Sequence, residues 1–260
     1  MNTLARVALR RERVLVAAGL ALVVVASWAW LWSGAGMMEP MGDMLMPMSS
    51  GPWTLAHALV VFAMWAVMMA AMMLPSAAPM ILLHADAAER RGEPRAVPAL
   101  FVLGYLAVWS GFGAAATALQ YALERLALLS PMMQATSVGL AGAVLVAAGA
   151  YQWTPAKRGC LTHCRSPLAF FMAYWRPGRA GAFAMGARHG LYCLGCCAPL
   201  MLLLFVGGVM NLAWIAGIAA FVMVEKFVPA GHWVSRAAGV LLVVWGLATL
   251  LGAGQLAGSW

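Results

Sequence analysis

Sulfur is gathered in this chain into four clusters, each able in principle to hold a soft metal ion. The most specific reads Arg188-His189-Gly190-Leu191-Tyr192-Cys193-Leu194-Gly195-Cys196-Cys197. On a helix Cys193, Cys196 and Cys197 stand at i, i+3 and i+4 and share one face, with His189 four residues before the first thiol. Met185 and Met201 carry the same stripe a turn further in each direction. A second cluster runs from Met64 to Met80, where Met64, Met68 and Met72 repeat every fourth residue with Met69 and Met73 beside them. Pro75 and Pro79 follow, and a proline in a helix frees backbone carbonyls that a membrane helix tolerates only where neighbours or a cavity satisfy them.

The other two clusters flank these. Residues 37–48 hold six thioethers, Met37, Met38, Met41, Met44, Met46 and Met48, in a Gly- and Pro-containing stretch. Residues 160–164 read Cys160-Leu161-Thr162-His163-Cys164. Methionine is also a flexible filler of cores, so the stripe at Met64–Met73 has a packing reading beside the ligand reading. Two thiols and a histidine can likewise be incidental. Packing explains residues 37–48 poorly, because a polar loop has no core to fill.

The ligand chemistry selects the ion. Thiolate and thioether are soft donors suited to Cu(I), whereas hard divalent cations want oxygen. Zinc asks for a closed Cys/His tetrahedron and would leave the methionines without a role. Compartment chemistry agrees, since thioethers survive oxidising surroundings and thiols persist on the reduced cytoplasmic side.

The elements that must position these residues are membrane helices. The chain has 260 residues, 64% of them hydrophobic and 9% charged, with mean hydropathy +0.87. An ordinary soluble domain is about a quarter charged. Runs near the 20 residues that cross ~30 Å of hydrocarbon predict an all-α polytopic bundle of about seven spans. These are 14–34, 53–83, 97–121, 134–154, 181–209, 212–229 and 237–255. The runs do not alternate as barrel strands would. Of the 16 basic residues, all but Arg125 fall on one side if the N-terminus is cytoplasmic and the C-terminus periplasmic, as the positive-inside rule requires. The net charge of +8 therefore needs no nucleic acid.

This topology makes residues 1–260 one integral membrane domain. Residues 35–52 become an outer Met-rich loop, and 155–180 a cytoplasmic loop with Cys160–Cys164 and a candidate interfacial helix. Counting 1.5 Å per residue from Arg188 puts the thiols roughly 7 to 14 Å into the membrane, at the level of Pro75 to Met80. Gly104, Gly111 and Gly113 in the third span and Gly139, Gly142 and Gly149 in the fourth are small residues suited to close helix packing. Glu225-Lys226 is a charged pair near the inner end of the sixth span. The lysine can snorkel or the pair can neutralise itself, and Glu225 can serve as an ion site or a structural partner of a base.

The segments MWAVMMAAMMLPSAAPM, CLTHCRSP, GLYCLGCCAPLMLLLFVGGVMNLAW and EKFVP resemble a bacterial family of predicted metal-binding integral membrane proteins, a domain-of-unknown-function family. The resemblance runs from about Met64 to Pro229. It implies a multi-span inner-membrane protein whose metal binding is attributed to its Cys and Met motifs; the positions that match the family's motifs are Met68, Met69, Met72, Met73, Pro75, Pro79, Cys160, Cys164, Cys193, Cys196, Cys197, Met210, Asn211, Glu225 and Lys226. Relatives often carry an aromatic after the paired cysteines, where this chain has Ala198.

Together these readings predict a copper(I)-binding protein of the bacterial inner membrane, for transport or for delivery to a membrane cuproenzyme. Its expected partners are the lipid bilayer and a periplasmic copper carrier or that cuproenzyme. Two other readings stay open: a thiol-disulfide oxidoreductase using the five cysteines, and a non-catalytic accessory subunit of a membrane complex. No P-type ATPase signature or nucleotide-binding loop is present.

Overall fold

The computed structural model describes residues 3–35, 38–41, 44–47, 53–130 and 133–252, with the backbone alone for 3–12, 38–41 and 44–47. Long helices dominate: α1 (Thr3–Trp32), α2 (Leu55–Arg90), α3 (Val97–Arg125), α7 (Gly178–Met201) and α10 (Gly231–Leu250). Between them lie α4 (Val138–Tyr151), α5 (Pro155–Arg165), α6 (Pro167–Tyr174), the single turn α8 (Leu204–Gly207) and α9 (Leu212–Phe227). In the Met-rich segment β1 (Met38–Met41) pairs antiparallel with β2 (Met44–Pro47), Met41 opposite Met44. The ligand expectation for Met37, Met38, Met41, Met44, Met46 and Met48 lies outside the described side chains.

Among the described residues five helices are long and apolar enough to cross a membrane, not seven: Arg13–Trp32, Leu55–Arg90, Val97–Arg125, Gly178–Gly207 and Gly231–Leu250. The expected fourth and sixth spans are shorter because both ends carry stop signals. Ser137 caps α4, its hydroxyl accepting from Leu140 N, and the Thr154-Pro155 pair starts a new helix three residues after Tyr151. Asn211 caps α9 in the same way and Val228-Pro229 ends it. Their 14 and 16 residues reach roughly 21 and 24 Å at 1.5 Å each. Both still run through the bundle. The segment leading into α4 meets α8, the turn that follows α7, Ala135 N donating to Phe205 O at 2.7 Å. At its other end the Tyr151 hydroxyl donates to Gly195 O.

The second span runs on to Arg90, so His84 is interior to the helix and not its boundary; it is buried among Phe101, Phe171 and Trp175. Residues 155–174, expected as loop with one helix, form α5 and α6.

Hydrophobic burial gives little net drive between helices in lipid, so small residues that let backbones approach matter more. A Cβ on Gly186 would sit 1.9 Å from Phe101 O, and one on Gly104 2.1 Å from Phe183 O, so α3 and α7 touch backbone to backbone. Gly142 and Gly149 meet α10 at Gly246 and Gly239 in the same manner, whereas Gly111 has nothing near it. α3 also packs along α2, and α9 lies against α2, α7 and α10. The thiol helix and the methionine helix are thus joined through α3 and α9 more than by direct backbone packing.

Candidate metal centre

The methionine stripe faces the protein. Met64, Met68, Met69, Met72, Met73 and Met80 are buried, in one contiguous core with Cys193, Cys196, Cys197 and Met201. What brings the two stripes to one level is a polar network. The Tyr105 hydroxyl of α3 lies 3.2 Å from Met73 O and 3.0 Å from Cys193 Sγ. Ser76 Oγ donates to Met73 O at 2.9 Å and accepts from Lys226 Nζ at 2.9 Å. Lys226 Nζ also donates to Cys193 Sγ at 3.0 Å. Met73, Ser76, Tyr105, Cys193 and Lys226 therefore meet at one buried point.

The thiols gather around the same point. Cys196 Sγ is 3.2 Å from Cys197 Sγ, 4.0 Å from Cys164 Sγ and donates to Cys193 O at 3.1 Å. The cysteines are free thiols. Cys160 packs differently, its Sγ 2.5 Å from where a Cβ on Gly195 would be, so glycine is what lets α5 settle on α7. Pro199 contributes too. It has no N–H for the carbonyl four residues back, and that freed Gly195 O is the one that Tyr151 satisfies. Among the described residues no group of three or more His, Cys, Asp and Glu side chains stands ready as a metal site. The contacts are pairwise, which suits an ion needing few soft donors.

The two expected histidine ligands lie among aromatic rings. His163 stacks on Tyr192, centroids 4.2 Å apart, and its Nδ1 meets Gly159 O at 2.8 Å, so its ring is taken up outside the thiol group. His189 is buried against Tyr105, Phe101 and Phe170, with Nδ1 unpartnered. It stands one turn from Cys193 on α7.

The charged pair does not neutralise itself, nor does its lysine snorkel. Consecutive helical residues point about 100° apart. Glu225 pairs with Lys157 at 2.6 Å and accepts from Ser235, both buried, while Lys226 turns to the thiols. A cavity of about 530 Å³ opens beyond Lys157, lined in part by Arg158, Arg165, His232 and Arg236. No cysteine is among the residues that line it.

Sequence reasoning missed Tyr105 and Ser76 and misjudged Lys226. A signal for Tyr105 existed, since a phenol deep in an apolar run needs a hydrogen-bond partner. Outside the long apolar helices, burial pushes the Cys160 thiol above the usual range, and the Cys193 sulfur beside Cys164 pushes that thiol up as well.

A family model, PpoB2, described as a copper chaperone, matches residues 62–249. No curated protein and no solved structure matches.

Proposed function

The chain belongs to the PpoB2 copper chaperone family, and on that premise we propose that it is an inner-membrane carrier of Cu(I). In this reading the ion is taken up at the outer Met37–Met48 segment and passes the buried thioethers Met64, Met68, Met69, Met72 and Met73. It is held at Cys193 with Cys196, Cys197 and Cys164, and leaves past Cys160 or His189 or laterally to a membrane cuproenzyme. The N-terminus is cytoplasmic and the C-terminus periplasmic, on the charge bias of the loops. The observation that carries the reading is that Cys196 of α7 meets both Cys197 and Cys164 of α5, one turn from Cys193, which Tyr105 ties to the end of the methionine stripe. Copper is cargo here. Several weak thioether sites leading to a thiol site fit an ion that must leave as well as enter.

The test is Cu(I) binding by the purified full chain under reducing conditions, read by competition with a colorimetric chelator. Wild type is expected to hold about one tightly bound Cu(I), and Cys193/Cys196/Cys197→Ser none, as the soft-ligand argument requires. A wild type that stays copper-free when loaded overturns the proposal.

Proton linkage gives a further expectation. A thiol must lose its proton to ligate, and Cys164 holds its proton to higher pH than a free thiol. Apparent Cu(I) affinity should therefore rise with pH between about 6 and 8, with proton release on binding. A flat profile in that competition assay would contradict ligation by these thiols.

A further inference from the structure

Lys226 is buried and has no described carboxylate in an ion pair with it. Its neighbour Glu225 is committed to Lys157 and Ser235. Its ammonium has two acceptors, Ser76 Oγ at 2.9 Å and Cys193 Sγ at 3.0 Å. Taking an ammonium out of water without a counter-ion is costly, and a protein retains one where something of opposite charge shares the site. Glu225 and Lys157 cancel, so the uncompensated positive charge at this point belongs to Lys226, and it touches a sulfur.

We infer that Lys226 sets the ionic valence that the thiol site accepts, favouring a monovalent soft cation over a divalent one. The inference rests on the copper reading above. With Cys193 and one neighbouring cysteine ligating as thiolates and the remaining thiols protonated, the site carries two negative charges; a monovalent ion and the lysine carry one positive charge each, and the assembly is neutral. With a divalent ion on the same two thiolates the lysine leaves a net positive charge in a low-dielectric interior, where an unbalanced charge is expensive. Without the lysine the order inverts: the divalent assembly is neutral and the monovalent one is left negative. Lys226 need not bind the metal to do this. It stands beside Cys193 and acts through charge.

The test compares wild type, Lys226→Met, Lys226→Gln and Lys226→Arg as purified full-length protein in nanodiscs. Cu(I) and Ag(I) affinities are read by chelator competition, and Cd(II) affinity by thiolate-to-metal absorption. Removing the charge in Lys226→Met should weaken Cu(I) and Ag(I) binding about tenfold and tighten Cd(II) about tenfold, since charge alone changes sign between the two cases. Lys226→Gln, which keeps a donor for Ser76, repeats the experiment if the methionine variant does not fold. Lys226→Arg should keep the wild-type order. A residue with a merely structural role would move all three metals the same way. Parallel losses, or no change, in the charge-removing variants overturn the inference while leaving Cu(I) binding by wild type intact. Absence of Cu(I) and Ag(I) binding by wild type overturns the copper reading and this inference with it.

Discussion

Gly186→Val should leave little folded protein. A Cβ at position 186 would stand 1.9 Å from Phe101 O and 2.7 Å from Phe101 C. These are backbone atoms of a helix, which cannot rotate aside as a side chain can. α3 and α7 would have to part by more than an ångström, undoing the facing contact where a Cβ on Gly104 would meet Phe183 O at 2.1 Å and Ala187 N at 2.9 Å. Overpacking costs about 1–3 kcal/mol and occasionally more, a fixed backbone neighbour belongs at the upper end, and in lipid little else offsets lost helix packing. The damage reaches the thiols, because Tyr105 follows Gly104 and its hydroxyl lies 3.0 Å from Cys193 on α7. The expected result is a large fall in monodisperse yield and thermal stability in detergent, with Cys193 exposed to maleimide. Gly111→Ala is the control, since nothing lies within 4 Å of its added methyl group, and it should behave as wild type. A stable, monodisperse Gly186→Val protein would mean that α3 and α7 do not cross there.

Cys193→Ser should be the most damaging single cysteine change for Cu(I) binding. Cys193 is the thiol that meets Tyr105 and Lys226, and its carbonyl accepts from the Cys196 thiol. Serine keeps the size and the hydrogen bonds of the position but replaces a soft donor by a hard one. Loss of an outer-shell partner costs roughly 10- to 100-fold in metal affinity, so loss of this donor should cost about 100-fold or more. Cys160→Ser should cost less than about tenfold on the same scale, because Cys160 packs on Gly195 away from the sulfur contacts. Chelator competition on the two variants gives the order. Equal losses would move the centre of the site away from Cys193, and no loss at Cys193 would remove it.

Much of the site's content was legible in the chain. The i, i+3, i+4 set at Cys193, Cys196 and Cys197 is a local pattern, and a helix forces it onto one face whatever surrounds it. The methionine repeat from Met64 to Met73 is legible for the same reason, and so is the separation of basic from apolar residues. Span lengths were less legible. Hydropathy sees the apolar residues of 134–154 and 212–229 but not that Ser137 and Asn211 start helices late and that Thr154-Pro155 and Val228-Pro229 end them early.

By itself, then, the sequence determined the helical material, the soft-donor inventory and which residues share a helix face, because these follow from composition and a period of 3.6. Only the tertiary structure decided that Cys164 joins the α7 thiols while His163 stacks on Tyr192. It also decided that Tyr105 is the hinge between Met73 and Cys193, and that Lys226 faces the thiols while Glu225 does not. The physical reason is that contacts across helices depend on axial register. Here that register is set by the few places where glycine lets a neighbour come close, backbone to backbone at Gly104 and Gly186 between α3 and α7, and the Cys160 side chain on Gly195 beneath α5.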